Sequence, residues 1–126
     1  MRLPYQEDEP RIIVRIFSPL KKESIPFVAY VDSGASYSIF HEDVAELLGI
    51  QIKNGRKTQV TVGNGARIPV YLHRLNVQFA TEEFLAVIGF SPKLGVEINL
   101  LGQIDFFDRF KICFDSKNKY LEVNKI

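Results

Sequence analysis

The chain contains the stretch Phe27-Val-Ala-Tyr-Val-Asp-Ser-Gly-Ala-Ser-Tyr-Ser-Ile-Phe40, in which an apolar run leads directly into Asp32. The run predicts a β-strand, and apolar residues return after a short polar segment, so we expect Asp32 to lie in a buried loop. A carboxylate at the buried end of a strand is costly unless it is hydrogen-bonded or kept neutral. Because chains tolerate that cost mainly at functional sites, Asp32 is the first candidate catalytic residue.

A structural interpretation of Asp32-Ser33-Gly34 competes with the catalytic one. Aspartate can end a strand in an Asx turn, and turns favour serine and glycine at the following positions. The tripeptide alone does not separate the two interpretations. The apolar residues on both sides favour the catalytic one, since an aspartate without a function would be expensive to bury there.

The bulk properties describe an ordinary globular protein. The chain has 126 residues, which suits one domain, and its net charge of +1 gives no field that favours nucleic acid or an anionic membrane. No apolar run reaches the ~20 residues that a membrane-spanning helix needs. The single cysteine, Cys113, excludes an intramolecular disulfide and is expected to be a packing thiol in a buried strand. The first residues lack an apolar signal-peptide core, so a cytoplasmic location is expected.

Runs of β-branched residues bounded by turn residues predict a mostly β domain. Strands are expected at 11–17, 25–31, 73–79, 84–90, 110–114 and 120–123. The last two form a hairpin around the polar turn 115–119. Residues 97–102 are a further short apolar segment that ends at a glycine. We expect residues 1–10 to be a loose N-terminal arm and residues 11–126 to be the domain.

One or two short helices are expected as well. Residues 41–50 have helical spacing with Gly49 as a stop signal, and residues 103–109 predict the second helix. Their expected buried residues are Val44, Leu47 and Leu48 in the first helix and Ile104, Phe107 and Phe110 in the second. Asp105 and Asp108 are expected to be solvated.

Residues 58–71 alternate apolar and polar side chains around Gly63-Asn64-Gly65, which is a strong hairpin signal. The pattern by itself fits a plain surface hairpin whose glycines give the tip conformational freedom. The glycines lack the lysine and the following helix that a phosphate-binding loop needs. His41 and His73 have no ligand-like companions, so neither a metal nor another cofactor is expected.

Asp32-Ser33-Gly34 after a hydrophobic run resembles the active-site loop of aspartic proteases. The motif occurs once, and the chain is too short for a two-lobed, pepsin-like enzyme. The resemblance is therefore to the retropepsin-like (retroviral-type, clan AA) aspartic proteases in their small single-domain prokaryotic form, in which two identical chains each supply one aspartate. The tail over residues 100–115 also looks like the end of small bacterial and archaeal members. Gln103 departs from the pattern, because many members have arginine there, and the departure concerns dimer contacts rather than chemistry.

The resemblance implies a closed single-lobe acid-protease barrel that forms a homodimer with Asp32 as the catalytic residue. The other implied site residues are Ser33, Gly34 and Ala35 in the active-site loop, Val62, Gly63, Asn64 and Gly65 in the flap, and Leu100, Leu101 and Gly102 in the cleft floor. Ser33 would hydrogen-bond the partner's loop, and Gly34 would let the backbone approach the carboxylates. Ala35 stands where some relatives have a hydroxyl, which predicts a less acidic activity optimum than that of gastric-type enzymes.

The expected function is that of a homodimeric aspartic endopeptidase that hydrolyses peptide bonds with an aspartate-activated water. Apolar substrate side chains are expected because the expected cleft walls are apolar: Val31, Ile39, Val62, Ile88 and Leu100. A catalytically silent retropepsin-fold module for dimerisation or peptide binding is the alternative. The expected partners are a peptide or protein substrate and a second copy of the chain, with no nucleic acid and no membrane. Residues 120–126 fit either a dimer interface or an edge strand of the monomer.

Overall fold

The computed structural model describes residues 1–94 and 98–126, and these ranges form a mostly β fold with short helical elements, as the sequence predicts. The elements are β1 (Arg2–Pro4), β2 (Arg11–Phe17), β3 (Ser24–Val31), β4 (Ser38–His41), α1 (Glu42–Leu48), a 3-10 turn (Ile52–Asn54), β5 (Arg56–Thr61), β6 (Arg67–Phe79), β7 (Glu82–Ser91), β8 (Asn99–Leu101), a helical turn (Gln103–Phe107), β9 (Phe110–Asp115) and β10 (Tyr120–Lys125). Within the predicted segment 97–102, the first residue lies outside the described ranges and Asn99–Leu101 forms β8.

Six strands close into a barrel in the order β2-β3-β8-β4-β7-β6, because β2 also pairs with β6. Strand β5 extends this sheet outside the closed ring through its pairing with β6. The predicted closed single-lobe barrel is therefore confirmed. Strand β3 pairs in parallel with β8, and this pairing brings the chain before Asp32 next to the chain before Gly102.

The strands bury alternate side chains, as their β-branched residues predict. In β2, Ile12, Val14 and Ile16 point into the barrel and are almost completely buried. Burial of each such side chain stabilises the fold by roughly 1.5–3 kcal/mol relative to exposure. A second, smaller cluster of buried residues lies under the β5–β6 hairpin and contains Ile39, Ile68, Val70, Leu72 and Leu94.

Helix α1 is confirmed, but one of its expected core residues is wrong. Val44, Ala45 and Leu48 are buried, whereas Leu47 is 61% exposed. The helix follows directly from β4, and Ala45 rather than Leu47 packs into the main core cluster. Gly49 ends the helix with φ +74°, a left-handed conformation that glycine adopts without strain.

The second predicted helix is a single turn, and its buried side differs from the prediction. Asp105 has φ +70° and interrupts the helical period. Phe106 is therefore the fully buried residue, while Ile104 and Phe107 are only half-buried. Phe110 is buried as expected and stacks edge-on against Phe79 at 5.0 Å between ring centres.

A second, three-stranded sheet has the order β1-β10-β9. The C-terminal hairpin of β9 and β10 is confirmed, but the expectation of a loose arm over residues 1–10 is wrong for Arg2–Pro4, which pair with Tyr120–Glu122. Cys113 is exposed rather than buried, because it faces the same side of the sheet as its cross-strand neighbour Glu122. The limits of the domain itself stay a prediction. Over residues 1–94 and 98–126, no helix has both the length and the apolar composition needed to cross a membrane.

Candidate active site

Asp32 stands directly after β3, at the start of the loop that leads to β4. Its residue is half-buried, while Ser33, Gly34 and Ser36 are exposed in the single chain. The expectation of a loop buried within the subunit is therefore wrong. The apolar residues on either side belong to β3 and β4 and enter the barrel, whereas the loop between them projects to the surface.

The carboxylate of Asp32 is oriented by its own loop. The N–H of Gly34 donates to Asp32 Oδ1 at 2.9 Å, and the N–H of Ala35 donates to the main-chain oxygen of Asp32 at 3.2 Å. This is the Asx-turn geometry, so the structural interpretation of the tripeptide holds locally and coexists with a catalytic one. Among the described residues, only Oδ1 accepts a hydrogen bond, and Oδ2 is left open to a water or a substrate.

The chain from Leu101 to Ile104 is hydrogen-bonded along the whole loop and fixes its shape. The main-chain bonds are Asp32 N to Leu101 O at 2.9 Å, Gln103 N to Ala35 O at 2.8 Å and Ile104 N to Ser36 O at 2.9 Å. The Leu101 side chain is buried in the core. Leu101 therefore contacts the loop through its carbonyl oxygen, which accepts the bond from Asp32 N, and not through its side chain.

Gly102 lies against the loop at a distance that only glycine allows. A Cβ atom there would stand 2.5 Å from the carbonyl oxygen of Tyr37 and 2.6 Å from that of Ala35. The N–H of Gly102 donates to the hydroxyl of Ser38 at 2.9 Å, and Ser38 is fully buried. Sequence reasoning missed Ser38, although a lone polar residue between Tyr37 and Ile39 was a usable signal.

Gln103 adds a side-chain contact to this arrangement. Its Nε2 atom donates to the main-chain oxygen of Ser33 at 2.7 Å. The side chain of Gln103 is thus bonded to the loop that carries Asp32. A neutral amide makes this contact with one donor and adds no charge beside the carboxylate.

The predicted hairpin is confirmed by the pairing of β5 with β6. Its turn is closed by bonds from Val62 N to Ala66 O and from Gly65 N to Val62 O, each 2.9 Å, and Asn64 Oδ1 accepts from Ala66 N at 2.9 Å. Gly65 has φ +85°, and at Gly63 no described residue beyond its chain neighbours has an atom within 4 Å of the place that a Cβ would take. The tip is therefore built from its own turn bonds and stands clear of the barrel.

A cleft of about 990 Å³ lies between this hairpin and the Asp32 loop. Its walls include Tyr30, Asp32, Gly34, Ala35, Tyr37, Ile39, Val60, Val62, Gly63, Asn64, Leu94, Ile98 and Leu100. Of the five wall residues expected from the sequence, Ile39, Val62 and Leu100 are in place. Ile88 is fully buried in the core instead, and Val31 borders a different cavity; both belong to the main core cluster and not to the cluster that contains Ile68, Val70 and Leu72.

That second cavity, of about 450 Å³, lies beside the same carboxylate and is not lined by the hairpin. Asp32 and Ser33 border it together with Tyr5, Tyr30 and Phe114. No sequence pattern pointed to this cavity, since its aromatic residues come from the N-terminal segment, β3 and β9.

Asp105 is not the solvated residue that the sequence predicts. Its Oδ2 accepts the N–H of Val87 at 2.8 Å, and its Oδ1 pairs with Arg109 at 3.2 Å. The Arg109 guanidinium also lies 4.9 Å from the ring centre of Phe84. These contacts tie the segment after Gly102 to β7. Asp108 is exposed, as expected.

The described residues contain no group of three histidine, cysteine, aspartate or glutamate side chains that could hold a metal ion. The ring Nε2 of His73 lies 2.8 Å from the carbonyl oxygen of Ile52, so this histidine ties β6 to the 3-10 turn. The oriented carboxylate of Asp32 borders the cleft, and a carboxylate in such a place can act as a general base or acid on a water.

Comparisons with known proteins agree with this geometry. The family described as "gag-polyprotein putative aspartyl protease" matches residues 20–109. No curated protein matches the chain in sequence. Among solved structures, a retropepsin-like aspartic protease from Rickettsia conorii is similar with a TM-score of 0.68 and 22% identity, covering 98% of this chain and 97% of that one.

The EIAV protease, solved in complex with the inhibitor HBY-793, is similar with a TM-score of 0.56 and 20% identity, covering 77% of this chain and 84% of that one. Likeness at these identities concerns the fold, and the family match concerns the sequence from before β3 to the end of the turn after Gly102. Taken together, they show that the chain belongs to this family of aspartyl proteases and has the retropepsin-like fold.

Proposed function

We propose that two copies of this chain form an aspartic endopeptidase, with Asp32 of each copy supplying one carboxylate of a catalytic dyad. The observation that carries the proposal is the placement of Asp32. Its carboxylate is oriented by the N–H of Gly34, has one oxygen free of hydrogen bonds from the described residues, and borders the cleft under the β5–β6 hairpin. A single carboxylate of this kind lacks the proton donor that peptide hydrolysis also needs, and a second copy would supply it.

The chemistry follows from the pairing of two like acids. Two facing carboxylates cannot both ionise at close range, so the pair holds one proton between them. The ionised member takes a proton from a water, whose oxygen bonds to the carbonyl carbon of the scissile peptide, while the protonated member donates to the carbonyl oxygen. Breakdown of the tetrahedral intermediate breaks the C–N bond, and the leaving amine receives a proton from the dyad. The rate should therefore fall on both sides of a pH optimum.

The exposed Asp32 loop supports the dimer. Ser33, Gly34 and Ser36 are open to solvent in one chain, at the place where the second carboxylate must arrive. The chain on either side of the loop belongs to β3 and β4, so both ends of the loop are fixed by the sheet.

The cleft walls favour an extended peptide with apolar side chains. Ile39, Val60, Val62 and Leu100 offer apolar contacts, and the hairpin above them can close over a bound strand. An apolar substrate residue that fills such a wall gains roughly 1.5–3 kcal/mol from burial, which favours apolar residues on either side of the scissile bond.

The test is cleavage of a pooled peptide library, from acidic to neutral pH, with and without pepstatin. Asp32→Asn should abolish the cleavage, and Asp108→Asn, at an exposed aspartate outside the cleft, should retain it. Cleavage that persists in Asp32→Asn would contradict the proposal. If the native chain is a dimer and cleaves nothing in the pool, the silent peptide-binding module becomes the better description.

A further inference from the structure

We infer that the peptide-binding surface continues from the cleft onto the outer face of β2 and β3, which is formed by Ile13, Arg15, Pro26 and Val28. There, Val28 and Ile13 hold an apolar side chain of the substrate, and Arg15 pairs with an acidic one. The occupant of this outer face is the part of the substrate that leaves the cleft in an extended conformation. The inference rests on the proposed function, because a peptide held in the cleft is what brings its flanking residues to this face.

Tyr30 joins the cleft to the outer face. It pairs with Leu100 of β8 in the parallel ladder, and both residues border the cleft. Val28 lies two residues before Tyr30 in β3, so both side chains point to the outside, whereas Ala29 between them is buried in the barrel. The side-chain amide of Asn99 donates to the main-chain oxygen of Val28 at 3.1 Å, which holds β8 beside it. The wall of the cleft therefore runs on from Tyr30 to Val28.

Val28 and Ile13 form an exposed apolar pair. They stand directly opposite each other in the ladder between β2 and β3, and they are 44% and 50% exposed. Side chains in such a position have Cβ atoms about 4.5–5.5 Å apart, so the two make one continuous apolar surface. No other two of the large apolar residues exposed within residues 1–94 and 98–126 face each other in this way. A substrate side chain that covers the pair removes apolar surface from water on both molecules.

Arginine side chains flank this pair at both ends, but their partners differ. At the end nearest the cleft, Arg11 is ion-paired with Glu7 at 3.1 Å and with Glu9 at 2.7 Å. At the far end, Arg15 is exposed and donates to the neutral hydroxyl of Ser24 at 3.2 Å. The positive charge that these contacts leave unbalanced therefore lies beyond the pair, where it favours an acidic substrate side chain.

The spacing of the outer face predicts a pattern in the substrate. Tyr30, Val28 and Pro26 follow one another at two-residue steps of about 6.6–6.8 Å, and Arg15 stands opposite Pro26. An extended peptide that runs along β3 advances by the same steps and turns alternate side chains to the same side. Counted outward from the substrate residue beside Tyr30, the second residue should be apolar and the fourth should be aspartate or glutamate. A two-fold dimer offers this face to each end of the substrate, so either end can carry the pattern.

The first experiment measures binding without cleavage. Asp32→Asn is titrated with two pools of fluorescein-labelled dodecapeptides, whose first eight positions are random mixtures of alanine, valine, leucine and serine. The last four residues are Leu-Gly-Glu-Gly in one pool and Ser-Gly-Gln-Gly in the other. Fluorescence anisotropy should give a Kd at least about fivefold lower for the first pool. The difference should disappear when Val28→Ser is added and persist when Leu85→Ser is added, since Leu85 is 42% exposed on β7 and lies outside the walls of the cleft.

The outcomes of this experiment separate the inference from the proposed function. Equal Kd values for the two pools, or no measurable binding of either, would overturn the inference whether or not the native chain cleaves peptides. A difference that persists in Val28→Ser would overturn it too, because the last four residues would then be recognised elsewhere. The proposed function fails instead if the native chain cleaves no peptide while Asp32→Asn still distinguishes the two pools.

The second experiment reverses the charge at Arg15. A randomised peptide library is digested, and the cleaved sequences are identified by mass spectrometry. The native chain should favour an acidic residue two positions outside an apolar one by about two- to fivefold, as for an exposed ion pair, and Arg15→Glu should favour lysine or arginine there. Lys53→Glu, at an exposed position in the 3-10 turn, is the matched control and should keep the acidic preference. An acidic preference that is absent in the native chain, or unchanged in Arg15→Glu, would contradict the role of Arg15.

Discussion

The side-chain amide of Gln103 donates a hydrogen bond of 2.7 Å to the main-chain oxygen of Ser33, 70 residues earlier in the chain. Three main-chain bonds run beside it, from Asp32 to Leu101, from Gln103 to Ala35 and from Ile104 to Ser36. Gln103 is therefore the side chain that completes the attachment of the Asp32 loop to the segment after β8.

Replacing Gln103 with leucine should lower activity more than stability. The lost bond to a partly exposed loop costs about 0.5–1.5 kcal/mol in the free energy of unfolding. Misplacement of a catalytic group by about 1 Å can cost about 100-fold in rate, so a fall in kcat of tenfold or more is expected with KM little changed. Gln103→Arg keeps a donor and should retain most of the activity. Gln78→Leu, at an exposed position on β6, is the control, and a kcat in Gln103→Leu equal to that of the native chain would refute this role.

Gly102→Ala should disrupt the fold around the loop. The new Cβ would meet two carbonyl oxygens at 2.5 and 2.6 Å, in a loop that Gln103 N and Ile104 N hold through the carbonyl oxygens of Ala35 and Ser36. Overpacking of this kind costs about 1–3 kcal/mol or more. Gly63→Ala, at the open hairpin tip, should leave the free energy of unfolding within about 0.5 kcal/mol of the native value. Chemical denaturation of the two variants checks the contrast, and equal stabilities would show that the loop and the Gly102 segment can move apart.

Ser38→Ala should destabilise the protein through a buried N–H rather than through lost packing. The Ser38 hydroxyl accepts from Gly102 N at 2.9 Å, and its removal leaves that donor without a partner in a buried place. The expected loss is about 1–3 kcal/mol in the free energy of unfolding. Ser116→Ala, at an exposed turn residue, is the matched control and should change little. Thermal and chemical denaturation measure both, and a Ser38→Ala protein as stable as Ser116→Ala would contradict the argument.

The turn between β9 and β10 contains a perturbed carboxylate. The Asn118 side chain, which donates to Asp115 Oδ2 at 3.0 Å, and then the Asn118 backbone N–H, at 2.9 Å from Oδ1, lower the pKa of Asp115 below its ordinary value of 3.8. A folded-state pKa below the unfolded one contributes stability that is present above the unfolded pKa and is lost as the pH falls through the folded pKa.

Asn118→Ala should therefore raise the pKa of Asp115 toward 3.8, measured from the pH dependence of its carboxyl carbon chemical shift by NMR. Asn76→Ala, at an exposed strand position, should leave that titration where it is. The Asp115-Ser116 dipeptide has the same sequence as Asp32-Ser33. The hydrogen bonds from Asn118 to the Asp115 carboxylate show that this aspartate stabilises the turn between β9 and β10.

The features that were predictable from the sequence are those that depend on residues close together in the chain. The apolar run into Asp32, the alternation around Gly63-Asn64-Gly65 and the stop at Gly49 each specify a local backbone, and the structure has those elements. The residues around Gly102 do not indicate which segment Gly102 contacts. Its position next to the Asp32 loop was predicted only from the family resemblance.

The features that were not predictable depend on long-range packing. The buried role of Phe106, in place of Phe107, follows from the positive φ of Asp105, which breaks the helical period. Asp105 itself looks solvated in sequence, and its bond to Val87 requires β7 to lie beside the turn. The cavity bordered by Tyr5 and Phe114 joins residues more than a hundred positions apart, which no periodic pattern encodes.

The bonds between the Asp32 loop and residues 101–104 also set an order of events during synthesis. The loop leaves the ribosome early, but the segment whose hydrogen bonds hold the loop in shape is made about 70 residues later. A growing or truncated chain that stops at β7 carries the Asp-Ser-Gly motif without the contacts that shape it. Such contacts of large sequence separation form late, because the intervening chain must first be ordered. An incomplete chain of this kind therefore lacks the hydrogen bonds that hold the Asp32 loop in its final shape.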